Sequence, residues 1–290
     1  MAEEIAGRGD PVRTLELMWG KAPAPRRGPK SRVSVADLVA AAVTIADADG
    51  IDAVSTRRVA EAVGISPMSF YTHIPDKAVL LDLMLDAVAS PPGEDTPANP
   101  AFDPAEWRAN VTFVARAFRA FYLRHPWVLQ VGTHRPVLGP NTMRAYDVFL
   151  SAFDGIGLSE VEMDLSVTMV ANYVHGAVRD VARAHMVKEQ TGKSDDEWWY
   201  TIAPFLETID FSPYPVANRV GPVVGELYGL GDPDLAFDFG LERLLDGLER
   251  LIEGKASSAV VIPPKLTPAD REGLVIPPLT PPRGAPNSGR

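Results

Sequence analysis

The chain has 290 residues, 46% of them hydrophobic and 23% charged, enough for one large or two modest domains with a sizeable core. It holds no cysteine, which excludes disulfides and thiolate metal sites, and no apolar run reaches the roughly 18 residues of a membrane span. The acidic start "MAEEIAGRGD" lacks the apolar stretch of a signal peptide, so a cytoplasmic protein is expected.

A net charge of -10 argues against a nucleic-acid partner until its distribution is considered. Residues 1–20 carry two basic and four acidic groups, residues 21–90 eight of each, and residues 91–290 carry 18 basic and 26 acidic. Within the neutral stretch, "KAPAPRRGPKSR" (21–32) holds five cations and no acid. A basic arm on a neutral head with an acidic body is compatible with DNA binding through one end.

In chain order, residues 1–33 are rich in Pro, Gly and charge and are expected to form a mostly disordered basic arm. From Ser34 the pattern turns helical, with Ser34 as N-cap, Asp37 in the first turn, and Val35, Leu38, Val39, Ala42, Val43 and Ile45 at helical spacing. "DADGID" closes that helix. A second short helix begins at Ser55, and a third near Ser66 has Pro67 in its first turn, where a missing N–H costs nothing. Pro75 opens a fourth, with Val79, Leu80, Leu83, Met84, Ala87 and Val88 as its stripe. Residues 34–90 thus form a small helical head, and "SPPGEDTPANP" (90–100) reads as a linker.

The body, 91–253, is expected to be helical at 103–124, 126–132, 138–154, 159–188, 194–209 and 233–253, with 210–232 a loop broken by Pro and Gly. No run shows sustained strand alternation. Residues 254–290 contain eight prolines and a weak repeat, "VIPPKLTP" (261–268) and "VIPPLTPP" (275–282), the mark of a disordered Pro-rich tail. The expected class is all-α.

Function concentrates in "STRRVAEAVGISPMSFYTH" (55–73). A helix-turn-helix needs two short helices, a tight turn, and a second helix that exposes polar side chains. Val59, Ala60 and Val63 supply a buried face, Gly64 a C-cap with positive φ, and Phe70 the inward residue of the second helix. Ser66, Pro67, Met68, Ser69, Tyr71, Thr72 and His73 then face outward. Serine and threonine hydroxyls suit base edges or phosphates, and Pro67 and Met68 suit thymine methyls. Tyr71, His73 and Lys77 suit phosphates, as do Thr56 and Arg57. On chemistry alone, the sharp corner of a helical bundle remains open beside a DNA reader.

"TIADADGIDAVSTRRVAEAVGISPMSFYTHIPDKAVLLDLMLD" (44–86) resembles the DNA-binding head of the TetR family of one-component transcriptional repressors, its A-x-x-x-G-[IV], F-Y-x-H and K-x-x-L-L elements falling in order. "THRP" (133–136) and "FDFGLERLLDGLERL" (237–251) resemble the body of the tetracycline repressor subgroup. The resemblance implies a cytoplasmic homodimer on a palindromic double-stranded DNA operator, released by a small organic effector, with no cofactor. It assigns DNA-contacting positions to Thr56, Arg57, Ser66, Met68, Ser69, Tyr71, Thr72, His73 and Lys77, with Pro67 and Met68 in the sequence-reading part.

For the dimer, Leu235, Phe239, Leu241, Leu244, Leu245, Leu248, Leu251 and Ile252 form a broad apolar surface on 233–253, with Gly240 and Gly247 on one face for close helix approach. Val161, Leu165, Thr168, Met169 and Val170 are the expected partners on 159–188. Effector candidates are Trp107, Phe113, Phe118, Trp127, His134, Arg135, Asn172, Tyr173, His175, Arg179, Trp198 and Trp199, with core packing the alternative for each aromatic. The tetracycline subgroup recognises a magnesium chelate through a histidine shortly before the Arg–Pro pair and a carboxylate on the long helix. Val131 and Asp180 stand at those positions here, so an effector without metal, bulky and aromatic, is expected.

The residues bear on two other classes. An enzyme would draw on His175, Arg179 and Asp180, with His134 and His185, but no H-E-x-x-H, G-x-S-x-G, P-loop or dinucleotide fingerprint is present. A helical adaptor would bind proteins through the head and the Pro-rich tail.

Overall fold

The computed structural model describes residues 4–22, 33–89, 100–132, 135–229 and 231–254, with the side chains among them except those of 180, 182–190, 195 and 196. The basic tract 23–32, residues 90–99 of the linker, His134 and the tail from 255 onward lie outside the described residues.

The first finding departs from the sequence expectation, because residues 4–22 are folded. Strand β1 (Glu4–Ile5) pairs in parallel with β2 (Val131–Gly132), and helix α1 (Pro11–Met18) follows. Asp10 caps α1 by accepting the amides of Val12 and Arg13, and Pro11 occupies the first turn, where proline is preorganised for a helix. Within residues 4–22, Pro11 is therefore a helix start, and Gly7 and Gly20 take the positive φ of turns.

The head matches its sequence signals. Helix α2 (Val35–Asp49) starts with a reciprocal capping box, in which the Asp37 amide donates to Ser34 Oγ and the Ser34 amide donates to the Asp37 carboxylate. These bonds hold the Asp37 carboxyl below its ordinary value. Helix α3 (Thr56–Ala62) is capped by Ser55, and α4 (Pro67–Phe70) by Ser66. Gly64 between them has φ 73°, the left-handed region that the tight turn requires. Helix α5 (Lys77–Val88) is capped by Asp76, one residue after the expected opening at Pro75.

Helix α5 carries "KAVLLDLMLDAV", apolar around most of its circumference, and an all-round apolar helix must be covered on all sides. Nine of its twelve residues are buried, from Val79 through Asp86 and at Val88. Helix α2 covers one side, α1 a second, and α7 (Pro140–Ser151), from the body, a third.

The body continues with α6 (Trp107–Arg124), α7, α8 (Glu160–Thr191), α9 (Asp195–Leu206), α10 (Pro215–Tyr228) and α11 (Pro233–Glu253). Two expectations are corrected. The helix expected at 126–132 is a 3-10 turn, Pro126–Gln130, that runs straight into β2. The loop expected at 210–232 contains α10, with Pro215 in the first turn and Gly225 packed against Trp199. Two hydrophobic cores result. One joins the head to Ala6, Trp127, Val128 and Val131, and the other fills the body between α6, α8 and α11. Tyr122 packs against both.

An ionic ladder lines α6 and α11, in which Arg108 meets Glu242, Asp246 and Glu249, Arg116 meets Asp238, and Arg119 meets Asp234. The acidic excess of the body is thus partly neutralised inside the chain. Among the described residues no helix is long and apolar enough to cross a membrane.

Candidate DNA-binding head and effector-binding body

The short recognition segment places one residue in and the rest out. Phe70 is 0% exposed, whereas Met68 is 77% and Tyr71 50% exposed. Burial of one aromatic and exposure of its neighbour follow from helical geometry, since adjacent residues project about 100° apart. Ser66, Pro67 and Thr72 are also exposed, and Ser69 is half-buried. A local hydroxyl chain stiffens this surface, with Ser66 Oγ 2.9 Å from Ser69 Oγ and Thr72 Oγ1 donating to the Ser69 carbonyl at 2.6 Å.

From α3, Thr56 Oγ1 lies 3.2 Å from the Tyr71 hydroxyl, so the first helix of the motif holds the aromatic of the second. Arg57 is exposed and forms an i,i+4 pair with Glu61 at 2.8 Å, which raises its guanidinium pKa further. His73 is half-buried. Lys77, expected at phosphate, has another partner: its ammonium is 2.6 Å from Glu4 of the N-terminal segment, and both side chains are about one-third exposed.

The effector candidates separate into groups. Phe118 joins an aromatic cluster with Tyr122 at 4.7 Å and Phe149 at 5.3 Å, and Tyr122 stacks on His175 at 5.5 Å. Burial pushes the Tyr122 phenol up to about 12, so it is a neutral donor, and its hydroxyl makes no hydrogen bond among the described residues. Burial first, and the Arg179 charge second, lower the His175 pKa and favour the neutral imidazole. These rings form one aromatic cluster beside the body core, with the Tyr122 hydroxyl and the His175 imidazole as its polar groups. Tyr122 and Phe149 were not among the sequence candidates. The available signal was spacing, since Phe118 and Tyr122 stand i,i+4 on α6.

Other candidates belong elsewhere. Trp127 is 1% exposed in the head core, and its indole donates to Asp47 Oδ1 at 2.8 Å, where His125 Nδ1 also sits at 2.8 Å. The structure places it at the junction of head and body, where a buried N–H must find an acceptor and Asp47 is that acceptor. Tyr173 donates to the Phe237 carbonyl at 2.7 Å. Its ring crosses α11 at Gly240, where an added Cβ would lie 2.3 Å from the hydroxyl. The close approach expected of Gly240 is therefore to Tyr173 of the same chain, and Gly247 meets nothing within 4 Å.

Phe113 is exposed beside Phe102, Trp107 lies under the Arg108 guanidinium, and Arg135 donates to the Gly7 carbonyl at 3.3 Å. Asn172 and Arg179 are exposed on the outer face of α8 with Val161, Leu165 and Thr168. Trp198 is exposed on α9, while His134 lies outside the described residues. Val131, at the position of the subgroup's metal-binding histidine, is buried in β2 and carries no donor atom, so this position does not fit a magnesium chelate.

Sequence reasoning missed three head carboxylates that reach out of the head, two to the body and one to the N-terminal segment. Asp47 takes Trp127, Asp82 takes the Gly7 amide at 2.8 Å, and Asp86 accepts the Asn141 and Thr142 amides at 3.1 and 2.9 Å. Asp86 thereby caps α7 from another element.

An all-helical chain with an exposed helix-turn-helix on a larger helical body defines a one-component DNA-binding regulator. Residues 38–84 match the family model for bacterial regulatory proteins of the tetR family, and residues 99–252 match the tetracyclin repressor-like C-terminal domain. The chain is 41% identical over 251 residues to the HTH-type transcriptional repressor DrrR1 of Streptomyces coeruleorubidus, covering 86% of this chain and 89% of that protein. It is 26% identical to the class A tetracycline repressor of transposon 1721 from Escherichia coli, over 73% of this chain and 89% of that protein. ActR of Streptomyces coelicolor, solved with actinorhodin, shares the fold with a TM-score of 0.59 at 23% identity, over 76% of this chain and 97% of that one. The chain belongs to the TetR family of transcriptional regulators.

Proposed function

We propose that the chain is a cytoplasmic, homodimeric repressor that holds a palindromic operator through α3 and α4 and releases it when a flat aromatic molecule enters the body. The observation that carries the reading is the division within Ser66–Thr72, with Phe70 buried and Met68 and Tyr71 exposed beside the hydroxyls of Ser66, Ser69 and Thr72. A structural corner has no reason to leave that set on the surface, whereas a major groove reads it. Pro67 and Met68 supply base contacts, and Thr56, Arg57, Tyr71 and His73 hold phosphate.

Two exposed apolar stripes support self-association. Val161 and Leu165 line α8, and Leu235 and Phe239 line α11. Contiguous apolar surface of this kind marks an interface, and a two-fold dimer reads a palindrome with matching symmetry. The effector occupies the Phe118–Tyr122–Phe149–His175 cluster without metal, because Val131 has no ligating atom. The DrrR1 relative is a repressor and ActR was solved with actinorhodin, both in keeping with this reading.

Selection of bound DNA from random sequence tests it. The expected product is an inverted repeat with half-sites about one helical turn apart. A collection of planar aromatic compounds, screened for release of that DNA, is expected to yield an effector that still acts in the presence of a chelator. No enriched repeat sinks the reading of the head, and release abolished by chelator sinks the metal-free effector.

A further inference from the structure

Residues 4–22 lie outside both matched domains, yet they are fastened to the head and to the body. Toward the body, β1 pairs with β2, the Ala6 amide donates to the Gly132 carbonyl at 2.9 Å, and the Trp19 indole donates to the Leu138 carbonyl at 2.9 Å. Toward the head, Glu4 meets Lys77 at 2.6 Å and the Gly7 amide donates to Asp82 at 2.8 Å. Ala6 is buried in the head core, and α1 lies along α5. At Gly9 the backbone runs so close to α5 that an added Cβ would stand 2.7 Å from Val79 Cγ2.

Three of the head attachments, at Lys77, Val79 and Asp82, fall on the first half of α5. The body grips the other end through Asp86, which caps α7. Lys77 and Asp86 are nine residues apart, about 14 Å along a helix rising 1.5 Å per residue. The body also meets α2, where Asp47 accepts the Trp127 indole, so the strap is a further fastening, and it is the one on the end of α5 that follows the recognition segment. Tilt at that end moves Met68 and Tyr71 most.

We propose that residues 4–22 form a strap that fixes the orientation of the DNA-binding head on the body and thereby sets the half-site spacing the repressor accepts. The spacing consequence rests on the proposed reading of a dimer on a palindrome. Two heads on one dimer must enter grooves about 34–36 Å apart, so the stiffness of each head decides how strictly that distance is enforced.

The test uses the full chain, a Gly9→Val variant that wedges the strap off Val79, and a second form beginning at Lys21 in case the first misfolds. The sequence has no cysteine, so Asp52→Cys in the head and Asp154→Cys in the body, both exposed, accept spin labels cleanly. Labelled chain is diluted with unlabelled chain so that only distances within a protomer are read. The parent is expected to give one narrow distance population and to bind an operator lengthened by one base pair between its half-sites about tenfold more weakly. Either strap variant is expected to broaden the distances and cut that penalty to about threefold or less while binding the unaltered operator. Distances that stay narrow overturn the strap, and broad distances with an unchanged spacing penalty overturn its role in spacing. A parent that selects no inverted repeat refutes the proposed function and the spacing consequence with it, while the distances still decide whether the strap fixes the head.

Discussion

Thr56 and Tyr71 meet hydroxyl to hydroxyl at 3.2 Å, across the turn that separates the two helices of the DNA-reading motif. The bond is exposed, so water competes for it and its contribution to stability is at the low end of about 0.5–1.5 kcal/mol. Its consequence is positional, since it fixes the exposed tyrosine that the proposed function sets against a phosphate. Tyr71→Ala is expected to weaken operator binding about tenfold while shifting stability by about 0.5 kcal/mol or less. Tyr71→Phe should recover little of that affinity, because the proposed phosphate contact is made by the hydroxyl. Fluorescence anisotropy on the selected operator, beside a urea titration, checks both; unchanged affinity in Tyr71→Ala removes the tyrosine from the interface.

In the body, Tyr122→Phe deletes one hydroxyl that has no hydrogen-bond partner among the described residues. Stability is expected to hold or to rise slightly, since no hydrogen bond among the described residues is lost. Operator release by the effector found in the screen should need about tenfold more compound, the cost of one lost hydrogen bond to a ligand in a largely apolar site. Calorimetric titration separates weaker effector binding from a damaged switch. Unaltered effector affinity would place the ligand away from Tyr122.

What was legible in the sequence was local. The Ser34–Asp37 box, the caps at Ser55 and Ser66, the turn at Gly64 and the inward Phe70 each depend on neighbours within a few residues. What was not legible was held over long range. The Gly7–Asp82 bond spans 75 residues and the Trp19–Leu138 bond spans 119, and no local pattern announces either. Pro11 and Pro215 read as breakers and turned out to start helices. Trp127 was an effector candidate and Tyr122 was not, yet Trp127 meets Asp47 at the junction and Tyr122 stacks on His175. One signal in "KAVLLDLMLDAV" was available: an all-round apolar helix with two aspartates on one face needs more cover than a three-helix head provides, and needs donors for both acids.

Asp82 gives the strap a pH signature. Burial raises its pKa above the ordinary 3.8, the Asp76 charge adds to the rise, and the Gly7 amide opposes it. The native state therefore binds this proton more tightly than the unfolded chain does. Its contribution is fully present below pH 3.8 and is lost as pH rises from there through the raised value. Asp82→Asn keeps an acceptor for Gly7 and does not titrate, so the fall in stability across that window is expected to be shallower in the variant. Urea midpoints taken at intervals from pH 4 to pH 7 check it, and parallel profiles for parent and variant would remove Asp82 as the cause.

Trp127 offers a test that separates junction from pocket. Its indole N–H is buried, and Asp47 on α2 accepts it while also meeting His125. Asp47→Ala strands that N–H, which costs about 1–3 kcal/mol, whereas Asp47→Asn retains an acceptor and should cost less. Trp127→Phe removes the donor but opens space in the head core, so it carries a packing penalty of its own. In the double variant Asp47→Ala/Trp127→Phe no indole N–H is left unpaired, while the loss of the His125 contact is common to both Asp47→Ala chains, and the combined loss is expected to fall short of the sum by about 1 kcal/mol. Throughout the cycle the effector affinity of folded protein should stay constant, because the indole faces α2 and not the Phe118–Tyr122–His175 cluster. A Trp127→Phe chain of normal stability that no longer binds the effector would return this residue to the ligand site.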